Sequence, residues 1–193
     1  MWLYGTSSTG KTKLARKYAK EFSNSFYFSG STRDPFQRYE GQNVIILDEL
    51  RPKSIDYSDL LKMIDPFNDE SMAPSRYFDR PITANYFIVT SPYSPEDFYD
   101  GFAIKGDIKT WIDTFDQLAR RLFLVQKMTQ TQMSLYFYDD EKKYFIEDES
   151  TVTTNPYAKK IVQETEKKQE AMDLFNKLAE TGLNPNKEAD VKK

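Results

Sequence analysis

The sequence predicts an α/β fold with a central, mainly parallel sheet flanked by helices, plus a C-terminal hairpin and helix. Three observations lead there. Short apolar strands alternate with amphipathic helices along most of the chain. Val44-Ile45-Ile46-Leu47 and the run at 85–90 (NYFIVT) are almost unbroken apolar stretches, the pattern of strands covered on both faces. A glycine-framed segment, Gly5 to Thr12, joins the first strand directly to the first helix.

The elements follow in order. Residues 1–4 read as a short buried strand. A strand of this kind usually has about five or six residues, so the chain is expected to be a domain cut from a longer protein. Lys11–Phe22 reads as a helix, with Leu14, Ala15, Tyr18, Ala19 and Phe22 on one face. An aromatic strand at 25–29 precedes a polar loop at 30–42. The strand at 44–47 ends in Asp48-Glu49. A helix at 57–64 leads into a turn-rich stretch at 66–75. The strand at 85–90 is stopped by Ser91-Pro92. Segments 110–115 and 117–127 read as helical, and 134–146 as a hairpin turning near 139–142. Its aromatics Tyr136, Phe137, Tyr138, Tyr144 and Phe145 fit a hairpin core, with base stacking as the alternative. Asp139, Asp140 and Glu141 read as a turn. Beyond Pro156 the composition becomes charged. A peripheral helix is expected at 157–180, with Lys159, Lys160, Lys167 and Lys168 on a solvated face, and then a frayed tail. The expected division is a domain over 1–150 followed by a charged helix and flexible tail over 151–193.

Composition narrows the function. At 193 residues the chain suffices for one ordinary domain with an appendage. With 39% hydrophobic residues, 14 Phe and 13 Tyr, it has the material for a packed core. Cysteine is absent, which excludes disulfides and thiolate catalysis; histidine is absent, which excludes imidazole bases and His-bound metals. A net charge of -3 confines any nucleic-acid contact to a local patch. No apolar run approaches the ~18 residues of a membrane-spanning helix, and no leader pattern precedes the first motif, so a cytoplasmic location without membrane partners is expected.

Gly5-Thr6-Ser7-Ser8-Thr9-Gly10-Lys11-Thr12 matches G-x-x-x-x-G-K-[ST] at every fixed position. The glycines let the backbone curl so that successive N–H groups cradle phosphate oxygens, and the following helix adds the positive end of its dipole. Lys11 would lie between the β- and γ-phosphates, and the Thr12 hydroxyl would hold Mg²⁺. ATP with Mg²⁺ is therefore the expected cofactor, on a P-loop NTPase fold of AAA+-like type. In Val44–Leu47 followed by Asp48-Glu49, Asp48 would bind Mg²⁺ and Glu49 would act as general base on water. The short interval between Lys11 and Asp48 leaves room for one helix, one strand and a loop, which points to a small ring helicase.

Several ordered motifs together resemble the superfamily 3 helicase domain of replication-initiator (Rep) proteins of rolling-circle plasmids of Gram-positive bacteria, related to the Reps of circular single-stranded DNA viruses. They are WLYGTSSTGKT at 2–12, DPFQRYEGQ at 34–42, VIILDELRP at 44–52, LLKMIDPF at 60–67, APSRYFDRP at 73–81, FIVTSPYSP at 87–95 and DQLARRL at 116–122. The resemblance covers about 1–125. It implies a DNA-stimulated ATPase that forms homo-oligomeric, hexameric rings and moves 3′ to 5′ on single-stranded DNA, with nickase and oligomerisation segments lying outside this chain. It carries the arginine finger, which acts on a neighbour's nucleotide, to Arg121, with Arg120 as the alternative. Many members place Asn as a sensor at the end of the strand matching 87–91; here Thr90 or Ser91 would take that place through a hydroxyl. The family's DNA-contacting hairpin matches 71–84, so Arg76, Arg80 and Tyr77, with Phe78, are expected to meet the strand: arginines on phosphates, aromatics on bases. Arg51 fits either a loop salt bridge or a subunit contact.

Two other functions fit the same loop. A small-molecule phosphotransferase of nucleoside-kinase type would be stimulated by an acceptor and not by DNA. A nucleotide-gated assembly or DNA-binding module would change oligomeric state with little turnover.

Overall fold

A computed structural model of the chain describes residues 1–29, 35–67, 72–73, 80–104, 106, 108–110, 112–158 and 164–182; Met1–Lys159 form one compact unit and Lys160–Lys193 a second. In the first unit the order is β1 (Trp2–Tyr4), α1 (Lys11–Phe22), β2 (Phe26–Ser29), β3 (Val44–Leu47), α2 (Tyr57–Met63), β4 (Met72–Ala73), β5 (Arg80–Pro81), β6 (Tyr86–Ser91), α3 (Pro95–Ala103), α4 (Phe115–Ala119), β7 (Val125–Met128), β8 (Gln132–Asp139), β9 (Tyr144–Glu147) and β10 (Thr153–Thr154). The described part of the second unit is α5 (Glu164–Gly182), whose Met172, Leu174 and Phe175 are exposed.

The main sheet runs β10-β8-β7-β1-β6-β3-β2, with β9 added to β8. From β7 through β2 every pairing is parallel, and β8, β9 and β10 pair antiparallel beside them. This is the expected α/β architecture. Alternation explains how the sheet is covered, since successive strand residues face opposite sides. Trp2, Tyr4, Ile45, Leu47 and Val89 face a layer built with Tyr57, Leu60, Phe98, Phe102 and Leu118 from α2, α3 and α4. Leu3, Val44, Ile46 and Ile88 face the other side, against Leu14, Ala15 and Ala19 of α1. Phe22, at the end of the expected α1 stripe, is surface-exposed and stacks on Tyr86 with ring centroids 4.3 Å apart. Phe36 and Tyr39, in the segment expected as a polar loop, are fully buried, and the Tyr27 hydroxyl donates to Pro35 O.

Two expectations fail here. Residues 117–127 do not form a helix: α4 stops at Ala119, and Val125–Met128 is β7, paired with β1. A short apolar run fits either periodicity, and the open edge of β1 decides for strand. The 110–115 helix is absent as well; among its described residues only Phe115 is helical. The helix that precedes this region, α3, carries plain start signals. Ser94 caps it by accepting from Asp97 N, Pro95 opens it, and Glu96 and Asp97 fill the first turn.

The hairpin aromatics divide. Tyr136 meets Tyr4 edge-on at 5.8 Å and Tyr138 meets Phe145 at 5.3 Å, whereas Phe137 and Tyr144 are exposed. Asp139 accepts from the amides of Glu141 and Lys142 and so builds the turn. Met72–Ala73 and Arg80–Pro81 pair as a small antiparallel ribbon. Arg76, Tyr77 and Phe78 lie outside the described residues, and Arg80 is described by its backbone alone.

Two stability predictions follow from these contacts. Phe98 sits edge-on to Trp2 with ring centroids 5.0 Å apart; Phe98→Ala should cost about 3–5 kcal/mol in a denaturant melt. The Tyr138 hydroxyl donates to Asp116, with Lys143 at 3.4 Å, and these hold the Asp116 carboxyl below its usual range. A depressed folded pKa adds stability that is present above the unfolded value of ~3.9 and lost as pH falls through the folded one. Tyr138→Phe should therefore flatten the loss of stability as pH falls below about 4, measured as thermal midpoint against pH.

Candidate active site

Three adjacent parallel strands end side by side, and each delivers part of the site at its carboxyl end, where α/β folds bind ligands. The loop Gly5–Gly10 follows β1, Asp48-Glu49 follows β3, and Thr90-Ser91 closes β6, which lies between them.

The loop needs glycine at both ends. Gly5 has φ +144°, and a Cβ there would lie 2.0 Å from Met128 O; Gly10 has φ +88°, and a Cβ would lie 2.3 Å from Tyr157 O. The Thr9 hydroxyl donates to Thr6 O and tightens the curl. Thr6, Ser7 and Ser8 form its exposed rim. The amides of Ser7, Ser8 and Gly10 donate to no acceptor among the described residues. No side chain caps α1, and its first turn holds no acid. The positive helix end and free amides thus remain available to an anion. The side-chain ammonium of Lys11 joins them: only 4% exposed, it donates to Gly5 O and Thr6 O, both at 2.9 Å, and stands 4.0 Å from Glu49 Oε1. Burial lowers the Lys11 pKa, opposed by Glu49 and then Asp48.

Across from the loop, the Thr12 hydroxyl donates to Asp48 Oδ1 at 2.8 Å, and the Thr90 hydroxyl donates to the same oxygen at 2.8 Å. Asp48 Oδ2 has no donor among the described residues. A hydroxyl beside a carboxylate with a free oxygen suits Mg²⁺, a hard cation held by few protein oxygens together with phosphate and water. Among the described residues no group of three or more acidic side chains could hold a metal by itself. The residues present therefore fit a magnesium–nucleotide better than a lone ion. Glu49, at φ +54°, reaches toward Lys11 on one side and Arg51 on the other, with Arg51 Nη2 3.6 Å from Oε2. Arg51 is thus a loop ion-pair partner in this chain.

The structure brings the loop, Lys11, Thr12, Asp48 and Glu49 together. Thr90 and Ser91 are adjacent but fully buried, and their hydroxyls are committed. Thr90 serves Asp48 and Glu49 N; Ser91 donates to Leu50 O and accepts from Tyr93 N. Arg120 and Arg121 lie at the opposite end of the sheet. They border a cavity of about 430 Å³ shared with Met1, Tyr86 and Phe87, at the amino ends of β1 and β6. Arg121 is paired with Asp65 and donates to Gln117 O at 2.6 Å, while its Nε is buried without a partner; Arg120 is exposed. The Phe67 amide and then Arg121 hold the Asp65 carboxyl below its usual range.

Sequence reasoning missed three residues that buttress the loop. Gln130 donates to Ser7 O at 3.1 Å, and buried Asn155 donates to Thr9 O at 2.8 Å and Thr129 O at 2.6 Å. Tyr157, whose carbonyl abuts Gly10, accepts from Lys17 at 3.1 Å. Their contacts to Ser7, Thr9 and Lys17 each span more than a hundred positions and leave no local signal.

No helix among the described residues is long and apolar enough to cross a membrane. Residues 1–93 match the model of a family described as RNA helicase. Over 107 residues, 55% of this chain, the sequence is 35% identical to a replication protein of Onion yellows phytoplasma (strain OY-M). The match covers 28% of that relative, so the chain corresponds to under a third of its length.

Proposed function

We propose that this chain is the ATP-hydrolysing helicase domain of a replication initiator, of the superfamily 3 type found in rolling-circle plasmids. One observation carries the reading: a glycine-framed loop with its lysine stands directly opposite a strand-end acidic pair, joined to it by Thr12 and Asp48 at 2.8 Å. The similarity to an RNA-helicase family model and to a replication protein supports the helicase role over the phosphotransferase.

In this reading the amides of the loop and Lys11 bind the triphosphate, with Lys11 leaving its loop carbonyls for the phosphates. Thr12 and Asp48 hold Mg²⁺. When bound, Mg²⁺ screens the phosphate charge and fixes the orientation of the leaving group. Glu49 accepts the proton of the attacking water. A neighbouring copy in a hexameric ring supplies an arginine. The resemblance points first to Arg121; we prefer Arg120, because Arg121 is ion-paired with Asp65 and only 19% exposed, while Arg120 is exposed and held in its own copy by a hydrogen bond from Nε to Asp116 O at 3.3 Å. The segment 71–84, with Arg76, Tyr77 and Arg80, follows the 3′ to 5′ track of single-stranded DNA. Nicking belongs to a separate segment, since this chain has no histidine.

ATP turnover with and without single-stranded DNA tests the reading. Wild type should be stimulated by DNA. Lys11→Ala should lose binding, and Glu49→Gln should bind ATP but fall by about 10²-fold or more in kcat. Stimulation by a nucleoside acceptor instead of DNA would establish the phosphotransferase, and ATP-dependent assembly with negligible turnover the gating module. A second prediction concerns the arginines. Subunits carrying Arg120→Ala, mixed into wild-type oligomers, should depress hydrolysis by more than their share and leave nucleotide binding intact. Arg121→Ala should mainly lower the thermal midpoint, by breaking a half-buried ion pair.

A further inference from the structure

We infer that Thr90 is a positioning residue that sets both carboxylates of the site, orienting Asp48 for the metal and Glu49 for the water, and does not itself touch the nucleotide. The inference rests on the nucleotide-hydrolysing reading above and gives Thr90 a different task from that of a sensor.

Strand order puts Thr90 in this place. Val89 pairs with Leu47, the last residue of β3, so Thr90 is the first residue of β6 to run past the end of β3 and lies beside Asp48. On its other side it pairs with Leu3 of β1. It is 0% exposed. A threonine hydroxyl has one proton to give. Here that proton goes to Asp48 Oδ1 at 2.8 Å, and the oxygen accepts Glu49 N–H at 2.9 Å. The Thr90 carbonyl then accepts from Leu50 N at 2.8 Å. One residue therefore holds three consecutive positions, and no donor remains for a phosphate or a water.

Glu49 has particular need of this. At φ +54° it adopts the left-handed conformation, which is unfavourable for a residue with a Cβ. Its amide turns out of the strand ladder and requires another acceptor, which Thr90 supplies. The turn so fixed carries the Glu49 carboxylate to the Lys11 side of the site. Asp48 is fixed in parallel: two hydroxyls, from Thr12 and Thr90, saturate Oδ1 and leave Oδ2 open. Packing alone does not account for threonine here, because valine has nearly the same shape and makes neither bond.

The test compares Thr90→Val and Thr90→Ser in the 193-residue chain. Without nucleotide, the Glu49 amide of Thr90→Val should exchange with solvent about tenfold or more faster than in wild type, because its acceptor is gone. With ATP, kcat should fall at least about tenfold at nearly unchanged KM, and the Mg²⁺ needed for half-maximal rate should rise about fivefold. ADP binding in EDTA should stay within about twofold of wild type. Thr90→Ser should restore all of these to within about threefold. Should the valine protein fail to fold, Thr90→Ala takes its place and is judged by the same criteria. An unchanged Glu49 amide in the folded valine or alanine protein, or a serine variant as impaired as that protein, overturns the inference. A wild-type chain that hydrolyses ATP beside an equally active valine variant removes the role of Thr90 alone. A wild-type chain that neither binds nor hydrolyses ATP removes the hydrolysing reading, and this inference with it.

Discussion

The placement of β6 between β1 and β3 is the constraint on which the site depends. Because of it, the loop and the acidic pair grow from strands that do not touch each other. Neighbouring strands lie about 4.8 Å apart, so two strand spacings separate the chain that carries Lys11 and Thr12 from the one that carries Asp48 and Glu49. Side chains must close that interval. Thr12 crosses it from α1 to reach Asp48, Lys11 approaches Glu49, and Thr90 fills the middle from the intervening strand. Buried polar groups need partners, and here the partners belong to different strand ends, so the hydrogen bonds that satisfy them also assemble the site.

Much of this was legible in the chain because its signals are local. The fixed residues of the loop, the unbroken apolar run at Val44–Leu47 and the stripe along α1 each lie within one element, and each appears in the structure with nearly the expected bounds. What escaped was long-range or double-valued. β7 has a helix-compatible pattern and became a strand because β1 offered an edge. Phe36 and Tyr39 sit among polar residues, yet both are buried because Tyr27 and the α2 layer need covering. Asn155 and Gln130 support a loop made of the chain's first residues, and nothing near them in sequence marks the task. α3 is a different case: its Ser-Pro-Glu-Asp opening was available and had gone unread.

The two ends of the sheet are chemically unlike. One carries the loop, the buried lysine and the acids; the other carries Arg120, Arg121 and the cavity beside them. No rotamer change brings a side chain from the amino end of a parallel sheet to its carboxyl end. Under the function proposed above, Arg120 or Arg121 would therefore meet a nucleotide only across a contact between two copies with unlike ends together, whereas Arg51 already stands beside Glu49 in the same copy. Such a contact would be head-to-tail, the type that closes into rings.

The Asn155 amide adds a temporal consequence. Its two hydrogen bonds reach Thr9 and Thr129, which ties the earliest part of the chain to a residue near the end of the first unit. Synthesis proceeds from the amino terminus. Within this unit the loop is made well before the residue that secures it, so a nascent chain that ends short of Asn155 has the signature of the candidate site without its final brace. On the proposed function, nucleotide capture would belong to the finished unit and not to the growing one.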